Sequence, residues 1–188
     1  MKRLAIIAIA AGLGMPAFAA PETYVIDGSH TMPRFEYNHF GYSTQTSRFD
    51  KTSGKITIDR AAKTGSADVT IDVKSVNTGS DTFNGHLKGE DFFDAEKFPT
   101  ITFKSNVFKF EGDKPVAIEG TLTSKGISKP VTLAVTSFQC MPHPLAKKDA
   151  CGANAIAKIK RSDFNNGKYV PYVSDEVTLI IPVESVKE

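Results

Sequence analysis

Apolar and polar positions alternate along most of the chain with a repeat of two residues. In segment 67–74 the odd positions are apolar, whereas the even positions carry aspartate, threonine or lysine. Segment 177–183 also places apolar residues at its odd positions, and shorter runs near residues 56, 101, 118 and 133 alternate in the same way. A repeat of two over such lengths is typical of β-strands with one buried face. The pattern therefore predicts a protein built mainly from strands.

Turn signals that contain glycine separate these runs, at residues 53–54, 64–65, 111–113, 125–126 and 166–167. Many short, one-sided strands at even spacing indicate an antiparallel sandwich or barrel. One segment departs from the pattern, because Phe83 and Leu87 stand four residues apart between Gly79 and Gly89. Ser80 is a suitable N-cap and Gly89 a suitable end, so we expect one short helix there.

The N-terminus has the three parts of an export signal. A basic start at residues 1–3 precedes an apolar run at 4–15, and small residues follow at 17–19. The run is shorter than the roughly 20 residues that span a bilayer, which argues against the alternative of a retained anchor. We therefore expect a signal peptide at 1–19, cleaved after Ala19, and one mature periplasmic domain at 20–188 without stable membrane insertion.

The charge of the mature chain is balanced. The 23 basic residues less Lys2 and Arg3 leave 21, which equals the 21 acidic residues. A neutral balance argues against a nucleic-acid partner, which favours a basic surface. It also offers no polybasic segment for acidic lipid head groups.

The two cysteines, Cys140 and Cys151, are predicted to form a disulfide, as such a pair does in an exported protein. The alternative is a redox or metal-binding pair. That alternative lacks both the Cys-x-x-Cys spacing and histidines at matching positions.

Small side chains on one strand suggest a hollow interior. The inward parity of segment 151–160 carries Ala153, Ala155, Ala157 and Ile159. Barrels of about eight strands either fill their centre with side chains or hold one small ligand. The 13 phenylalanines, all but Phe18 in the mature part, could fill the space instead. If a cavity exists, Phe35, Tyr37 and His39 are candidate wall residues and a long apolar lipid is the expected ligand, since each buried methylene contributes roughly 0.8 kcal/mol.

Sequence motifs for catalysis are weak. The four histidines lack zinc-site spacing, and there is neither a Gly-x-Ser-x-Gly turn nor a glycine-rich phosphate loop. Ser29 and His30 adjoin, and neighbouring residues of a strand point apart. We therefore predict a protein that is not an enzyme and has no catalytic residues, metal or cofactor. His39 and His86 are either satisfied polar residues at a barrel rim or hydrogen-bond partners for the head group of a lipid.

Several strings of the mature chain together resemble the YceI-like family. The resemblance covers essentially the whole mature chain, and its strings occur in order and at suitable spacing. They are residues 24–27 with His30, Phe35 and 39–41 with Phe49, 86–88 with 91–94, 98–105, and 120–123 with Gly126 and 129–131. One departure is Phe164-Asn165, which stands where the family often has Phe-Gly.

This resemblance implies an all-β fold, an extended lipocalin-like antiparallel barrel of eight strands with one short helix. Members of the family are exported proteins that bind polyisoprenoid or similar long-chain lipids in a hydrophobic tunnel, often as homodimers, with no established catalytic residues. By position, the resemblance makes these residues candidates for the pocket or its rim: Phe35, His39, Phe49, His86, Leu87, Phe92, Phe93, Phe98 and Phe103.

The combined prediction is a periplasmic protein that holds a polyisoprenoid, quinone-like or fatty-acyl lipid for transport, storage or sequestration. Two alternatives stay open. One is a periplasmic enzyme that acts on an isoprenoid or quinone lipid. The other is an interaction module with a filled barrel. His39 and His86 lying close to an acid inside the pocket would favour the enzyme, and a cavity too small for a chain would favour the module.

Overall fold

A computed structural model describes residues 20–188, so the predicted signal peptide at 1–19 lies outside the described residues. The described chain contains eleven strands, one α-helix and two short 3-10 helices at Val73–Ser75 and Arg161–Phe164. The α-helix, α1, is Asp81–Lys88. The strands are β1 Glu22–Ile26, β2 Arg34–His39, β3 Ser43–Phe49, β4 Thr52–Asp59, β5 Thr64–Asp72, β6 Val76–Asn77, β7 Thr100–Glu111, β8 Lys114–Ser124, β9 Ile127–Pro142, β10 Asp149–Lys160 and β11 Glu176–Lys187.

Eight of the strands form a closed antiparallel barrel. Their order is β1-β4-β5-β7-β8-β9-β10-β11, and the pairing of β1 with β11 closes the ring. The final strand β11 has two partners on that side, because its end pairs with β1 through Val186 and Val25 while its first half pairs with β2 through Leu179 and Phe35. Strands β2, β3 and β6 thus extend the wall beyond the closed part. The predicted eight-stranded, lipocalin-like barrel with one helix is confirmed.

The alternating pattern sets which side chains face inward. Val69 of β5 pairs with Phe103 of β7, and both side chains line the interior. Along β11 the odd positions Val177, Leu179, Ile181 and Val183 do the same. Because successive side chains of a strand point to opposite faces, the residues between them, Thr178, Ile180 and Pro182, face outward.

Two of the predicted turns are wrong, because Gly54 and Gly65 lie inside β4 and β5. A Cβ on Gly54 would clash with the carbonyl oxygen of Asp68, so β5 approaches too closely for a side chain. A Cβ on Gly65 would lie 2.5 Å from the ring of Phe108. Glycine inside a strand often marks such a close approach rather than a turn. The signals at 111–113 and 125–126 do form the turns after β7 and β8.

The predicted helix is confirmed as α1. The side chain of Ser80 caps it by accepting a hydrogen bond from the backbone N–H of Phe83, and Gly89 ends it. Leu87 is buried, and it packs with Phe93 and the other aromatic residues of the core at this end of the barrel. A second core cluster around Phe108 fills the opposite end. Within residues 20–188, no helix has the length and apolar character needed to cross a bilayer.

Two further features that the sequence analysis singled out are the cysteine pair and Asn165. Cys140 and Cys151 face each other on β9 and β10 and form the predicted disulfide. Asn165, the departure from the family resemblance noted above, adopts a left-handed backbone conformation with φ of 53°. Asparagine tolerates that conformation better than most residues, so the turn after Phe164 keeps the geometry a glycine would allow.

Candidate functional site

An apolar cavity of about 380 Å³ occupies the barrel interior and continues toward α1. Thirty-nine residues line it, none of which is aspartate or glutamate. The only arginines among them are Arg34, which is exposed, and Arg161, which is buried. The volume falls within the range of roughly 300–1,000 Å³ that is typical of ligand sites. The barrel is therefore hollow, and the alternative of a filled interior is not supported.

The alanines of β10 help to create this space. Ala153, Ala155 and Ile159 line the cavity, and Ala155 pairs with Val135 and Ile181, which line it too. Side chains from three neighbouring strands therefore border the cavity at this level, and the one from β10 is only a methyl group. The lining on this wall runs from Ala153 of β10 to Arg161, the first residue of the second 3-10 helix, a span of eight residues or about 26 Å at the usual strand rise.

Ten of the twelve predicted ligand-binding residues line this cavity. Their contact with a ligand stays a prediction, but the structure brings them together around one space. They are Phe35, Tyr37, His39, Phe49, His86, Leu87, Phe92, Phe93, Phe103 and Ala155.

Phe98 and Ala157 lie outside the lining. The ring of Phe98 packs over the turn at Gly126, where an added Cβ would lie 3.1 Å from its Cε1 atom. Ala157 is buried on β10 opposite Leu179, which lines the cavity in its place. Their predicted contact with a ligand also stays a prediction, at positions outside this lining.

The lining reaches the surface at Phe40 and Tyr169, which are about half-exposed. The ring of Phe40 stacks on Tyr172, with ring centres 6.0 Å apart, and that of Tyr169 lies 6.3 Å from Phe92. These four residues, which we call the aromatic mouth, form two ring pairs where the cavity lining reaches the surface. An aromatic mouth suits the passage of an apolar molecule, because the rings are apolar while the tyrosine hydroxyls keep contact with water.

Near the mouth, the buried Arg161 holds the segment that follows the second 3-10 helix. Its guanidinium donates three hydrogen bonds to backbone carbonyls, from Nε to Ser174 at 2.8 Å, from Nη1 to Asn166 at 2.6 Å and from Nη2 to Val173 at 2.9 Å. Burial lowers the pKa of Arg161, an effect that the nearby negative charge of Asp175 partly opposes. The cation is thus solvated by carbonyl dipoles in place of water.

Tyr37 contributes a second buried polar group. Burial raises the pKa of its phenol, and Ser47 and the charge of Arg161 oppose that rise. The buried hydroxyl oxygen of Tyr37 has no hydrogen-bond partner among residues 20–188. The Oδ1 atom of Asn166 is also buried without a partner there.

His39 and His86 both line the cavity, but neither imidazole forms a hydrogen bond or ion pair with another residue of the described chain. The ring of His39 packs edge-on against Phe40 with centres 4.6 Å apart. A histidine that acts as a general base usually needs an acid to orient it, and no carboxylate lines this cavity. The arrangement suits a polar rim better than acid–base chemistry.

Outside the cavity, Asp27, Ser29 and His30 form one exposed cluster, so the expectation that Ser29 and His30 point apart is wrong. They lie in a turn after β1, where the Nδ1 atom of His30 is 2.7 Å from Asp27 Oδ2 and 3.1 Å from Ser29 Oγ. In a Ser-His-Asp triad the serine and the acid contact opposite nitrogens of the ring, whereas here both contact Nδ1. Glu184 joins Asp27 and His30 in a group whose atoms could hold a metal ion, on an exposed surface.

Sequence reasoning missed Arg161, Asn166 and three residues of the aromatic mouth, namely Phe40, Tyr169 and Tyr172. Arginine is rarely buried, and nothing in the sequence around Arg161 indicates that three carbonyls surround it. The mouth joins residues that lie about 130 positions apart in the chain, such as Phe40 and Tyr172. A repeat of apolar positions gives no signal for such a contact.

A closed barrel of eight strands, with one apolar cavity that opens between aromatic rings, defines a lipocalin-like class of ligand-binding barrel. Within that class the chain belongs to the family of the YceI-like domain, whose model matches residues 24–185.

Its relatives agree with this assignment. Protein YceI of Salmonella arizonae is 39% identical over 175 residues, which covers 90% of each chain. Among solved structures, BcnA of Burkholderia cenocepacia has a TM-score of 0.72 at 28% identity and covers 85% of this chain and 98% of its own. The Campylobacter jejuni YceI protein has a TM-score of 0.69 at 31% identity over 80% of this chain and 90% of its own. A polyisoprenoid binding domain from Saccharophagus degradans shares the fold, with a TM-score of 0.65 at 21% identity over 88% of this chain and 98% of its own.

Proposed function

We propose that this protein is a periplasmic lipid carrier that holds a long isoprenoid, quinone-like or fatty-acyl chain inside the barrel, for transport, storage or sequestration. The observation that carries the proposal is the cavity, which is long, lined almost wholly by apolar side chains and reaches the surface at Phe40 and Tyr169. Empty apolar cavities in proteins exclude water and accept apolar ligands. The fold of the Saccharophagus degradans domain, named for polyisoprenoid binding, is in keeping with this class of ligand.

The affinity would come from burial of hydrocarbon. Ten buried methylenes would contribute about 8 kcal/mol at roughly 0.8 kcal/mol each. Association consumes several kcal/mol of that gain through lost freedom of motion. A chain long enough to follow the wall from Arg161 to Ala153 therefore binds usefully, while a short one does not.

Binding is favoured over catalysis by the lining of the cavity. His39 and His86 face the same space as the lipid would, but without a carboxylate partner among the residues that line it. In this proposal the two imidazoles are polar residues at the rim. The homodimer that the family resemblance implies is a further expectation, and light scattering of the purified protein checks it.

The test is to express the full chain in a Gram-negative bacterium, purify it from the periplasmic fraction and analyse an organic extract by mass spectrometry. We expect a long-chain lipid, enriched over a mock purification, and a protein mass that starts at Ala20. The protein stripped of lipid should also take up such chains from vesicles. A protein that carries no lipid and takes up none would overturn the proposal.

A further inference from the structure

A second recess lies beside the turn that follows β1. It is a groove of about 580 Å³, and its eighteen lining residues come from this turn, from β9, β10 and β11, and from the loop between β9 and β10. Asp27 and Glu184 are the only charged residues among them. Both are acidic, so this part of the groove attracts cations.

His30 adds a nitrogen ligand to the two carboxylates. One ring nitrogen of His30, one oxygen of Asp27 and one oxygen of Glu184 all lie within 4.8 Å of one another. Metal–ligand bonds of about 2.0–2.2 Å place neighbouring ligand atoms about 3–3.5 Å apart, so shifts of about 1–2 Å would close the three atoms around one ion. The side chains of His30 and Glu184 are exposed and can make such shifts.

The backbone that carries these three side chains is held in place. Asp27 donates its backbone N–H to the carbonyl of Glu184 at 2.9 Å. The hydroxyl of Thr31, which is 1% exposed, donates to the same carbonyl at 3.1 Å and accepts from the N–H of Glu184 at 3.0 Å. The turn and β11 are therefore joined at the residues that would hold the ion, although these lie more than 150 positions apart in the chain.

Ser29 orients the carboxylate of Asp27. Its backbone N–H and its hydroxyl both donate to Oδ1, at 2.9 and 2.5 Å, which leaves Oδ2 facing the ring of His30. Outer partners of this kind fix the direction of a metal ligand. Within residues 20–188, Glu184 forms hydrogen bonds through its backbone only, so its carboxylate is available to an ion.

We infer that Asp27, His30 and Glu184 bind one divalent transition-metal ion of the Zn²⁺ kind. An imidazole nitrogen with two carboxylate oxygens suits Zn²⁺ and its neighbours in the first transition row, whereas Mg²⁺ and Ca²⁺ prefer oxygen ligands alone. Three protein ligands leave a coordination position for water, which the exposure of the site allows. The expectation of no metal rested on the spacing of the histidines, whereas this site takes its third ligand from a distant strand.

The site is separate from the lipid cavity, because none of its three ligands lines that space. The inference therefore does not depend on the proposed lipid-binding function. We expect the affinity for Zn²⁺ to be the same, within about threefold, in lipid-loaded and delipidated protein.

The test is calorimetric titration of the purified protein, without an affinity tag and after treatment with a chelator, with Zn²⁺, Mg²⁺ or Ca²⁺. We expect one Zn²⁺ per chain, bound at least about tenfold more tightly than Mg²⁺ or Ca²⁺. His30→Gln and Glu184→Gln should each weaken Zn²⁺ binding by at least about tenfold, since each removes one of three ligands.

His143→Gln is the matched control. His143 lines the same groove, but its Nδ1 atom already accepts the backbone N–H groups of Leu145 and Ala146. The affinity of this variant for Zn²⁺ should stay within about threefold of the parent. Glu184→Gln keeps the test decisive if His30→Gln disturbs the turn, because the carboxylate of Glu184 has no hydrogen-bond partner in the described chain.

The outcomes separate a built site from a chance one. Zn²⁺ bound no more tightly than Mg²⁺, or at a ratio other than one per chain, would overturn the inference. Full affinity in Glu184→Gln would overturn it too, and so would an equal loss in His143→Gln, which would mean an adventitious ion only. A selective loss in His30→Gln and Glu184→Gln, with lipid uptake unchanged, supports the site.

Discussion

Replacement of Ala155 by phenylalanine tests whether the lipid chain lies where the cavity is. Ala155 is buried, lines the cavity and stands between Val135 and Ile181 on the neighbouring strands. A phenyl ring at this position would enter the space between them. If the ring displaces about four methylenes of the chain, the loss is about 3 kcal/mol, which corresponds to a roughly 200-fold weaker Kd.

The fold should survive this change, because the ring enters space that is already open. Filling a cavity commonly stabilises a protein by about 0.5–2 kcal/mol, so the melting temperature of the delipidated variant should stay equal or rise by a few degrees. The parent, by contrast, should gain about 2.7 kcal/mol from ligand at 100 times its Kd, and the variant should lose most of this gain at the same concentration.

The assay is calorimetric titration with geranylgeraniol, together with thermal unfolding with and without the ligand. Ile156→Phe is the matched control, since Ile156 is the next residue of β10, faces outward and is 44% exposed. Its affinity should stay within about threefold of the parent. A folded Ala155→Phe variant that binds geranylgeraniol as tightly as the parent would refute the location of the chain.

Three further predictions concern stability. Replacing both cysteines, Cys140→Ser with Cys151→Ser, should lower the free energy of unfolding by about 3 kcal/mol, judged from the loop that the bridge closes. Lipid affinity should stay unchanged because neither cysteine lines the cavity. Urea unfolding measures the stability and calorimetric titration the affinity, and an altered affinity would contradict the expectation for binding. Hydrogen bonds from Ser29 and His30 lower the pKa of Asp27 to about 2, so its contribution is present above about pH 4 and is lost as the pH falls toward 2. As the pH falls over this range, the free energy of unfolding should therefore decrease less steeply in Asp27→Asn than in the parent. Urea unfolding at several pH values measures this dependence, and an equal pH dependence in the two proteins would contradict the prediction. Gly120→Ala should destabilise the fold by about 1–3 kcal/mol, since its Cβ would lie 2.7 Å from the carbonyl oxygen of Lys104. Gly152→Ala is its control, with its nearest contact at 3.5 Å, and equal losses of stability in the two variants would show the clash to be unimportant.

The strands and the helix could be predicted from the sequence because each depends on local spacing. The odd apolar positions of β5 and β11 face the interior as expected, and Ser80 caps α1. The glycines of β4 and β5 could not be assigned in the same way. A glycine in a turn and a glycine beneath a neighbouring strand or ring look alike in a sequence, and only the contact of Gly65 with Phe108 distinguishes them.

The apolar part of the candidate site was partly predictable for the same reason. Ala155 and Phe103 lie at the expected parity on long strands, whereas Ala157 shows that parity cannot say which inward side chain borders open space. The environment of the buried Arg161 was beyond sequence reasoning. The burial of Arg161 depends on carbonyls of residues 5, 12 and 13 positions further along the chain, which a loop brings back to it.

The cavity and the segment beside it have different physical roles. Burial of hydrocarbon has no direction, so we expect the apolar lining to select a chain by its length and bulk. Arg161 instead holds backbone, because its three hydrogen bonds to carbonyls fix the segment that follows the second 3-10 helix. Ala155 and Arg161 lie six residues apart, or about 20 Å at the usual strand rise, and mutations at residues so far apart usually have additive effects. We therefore expect that a change at Ala155 can alter which lipid fits without disturbing the segment that Arg161 holds.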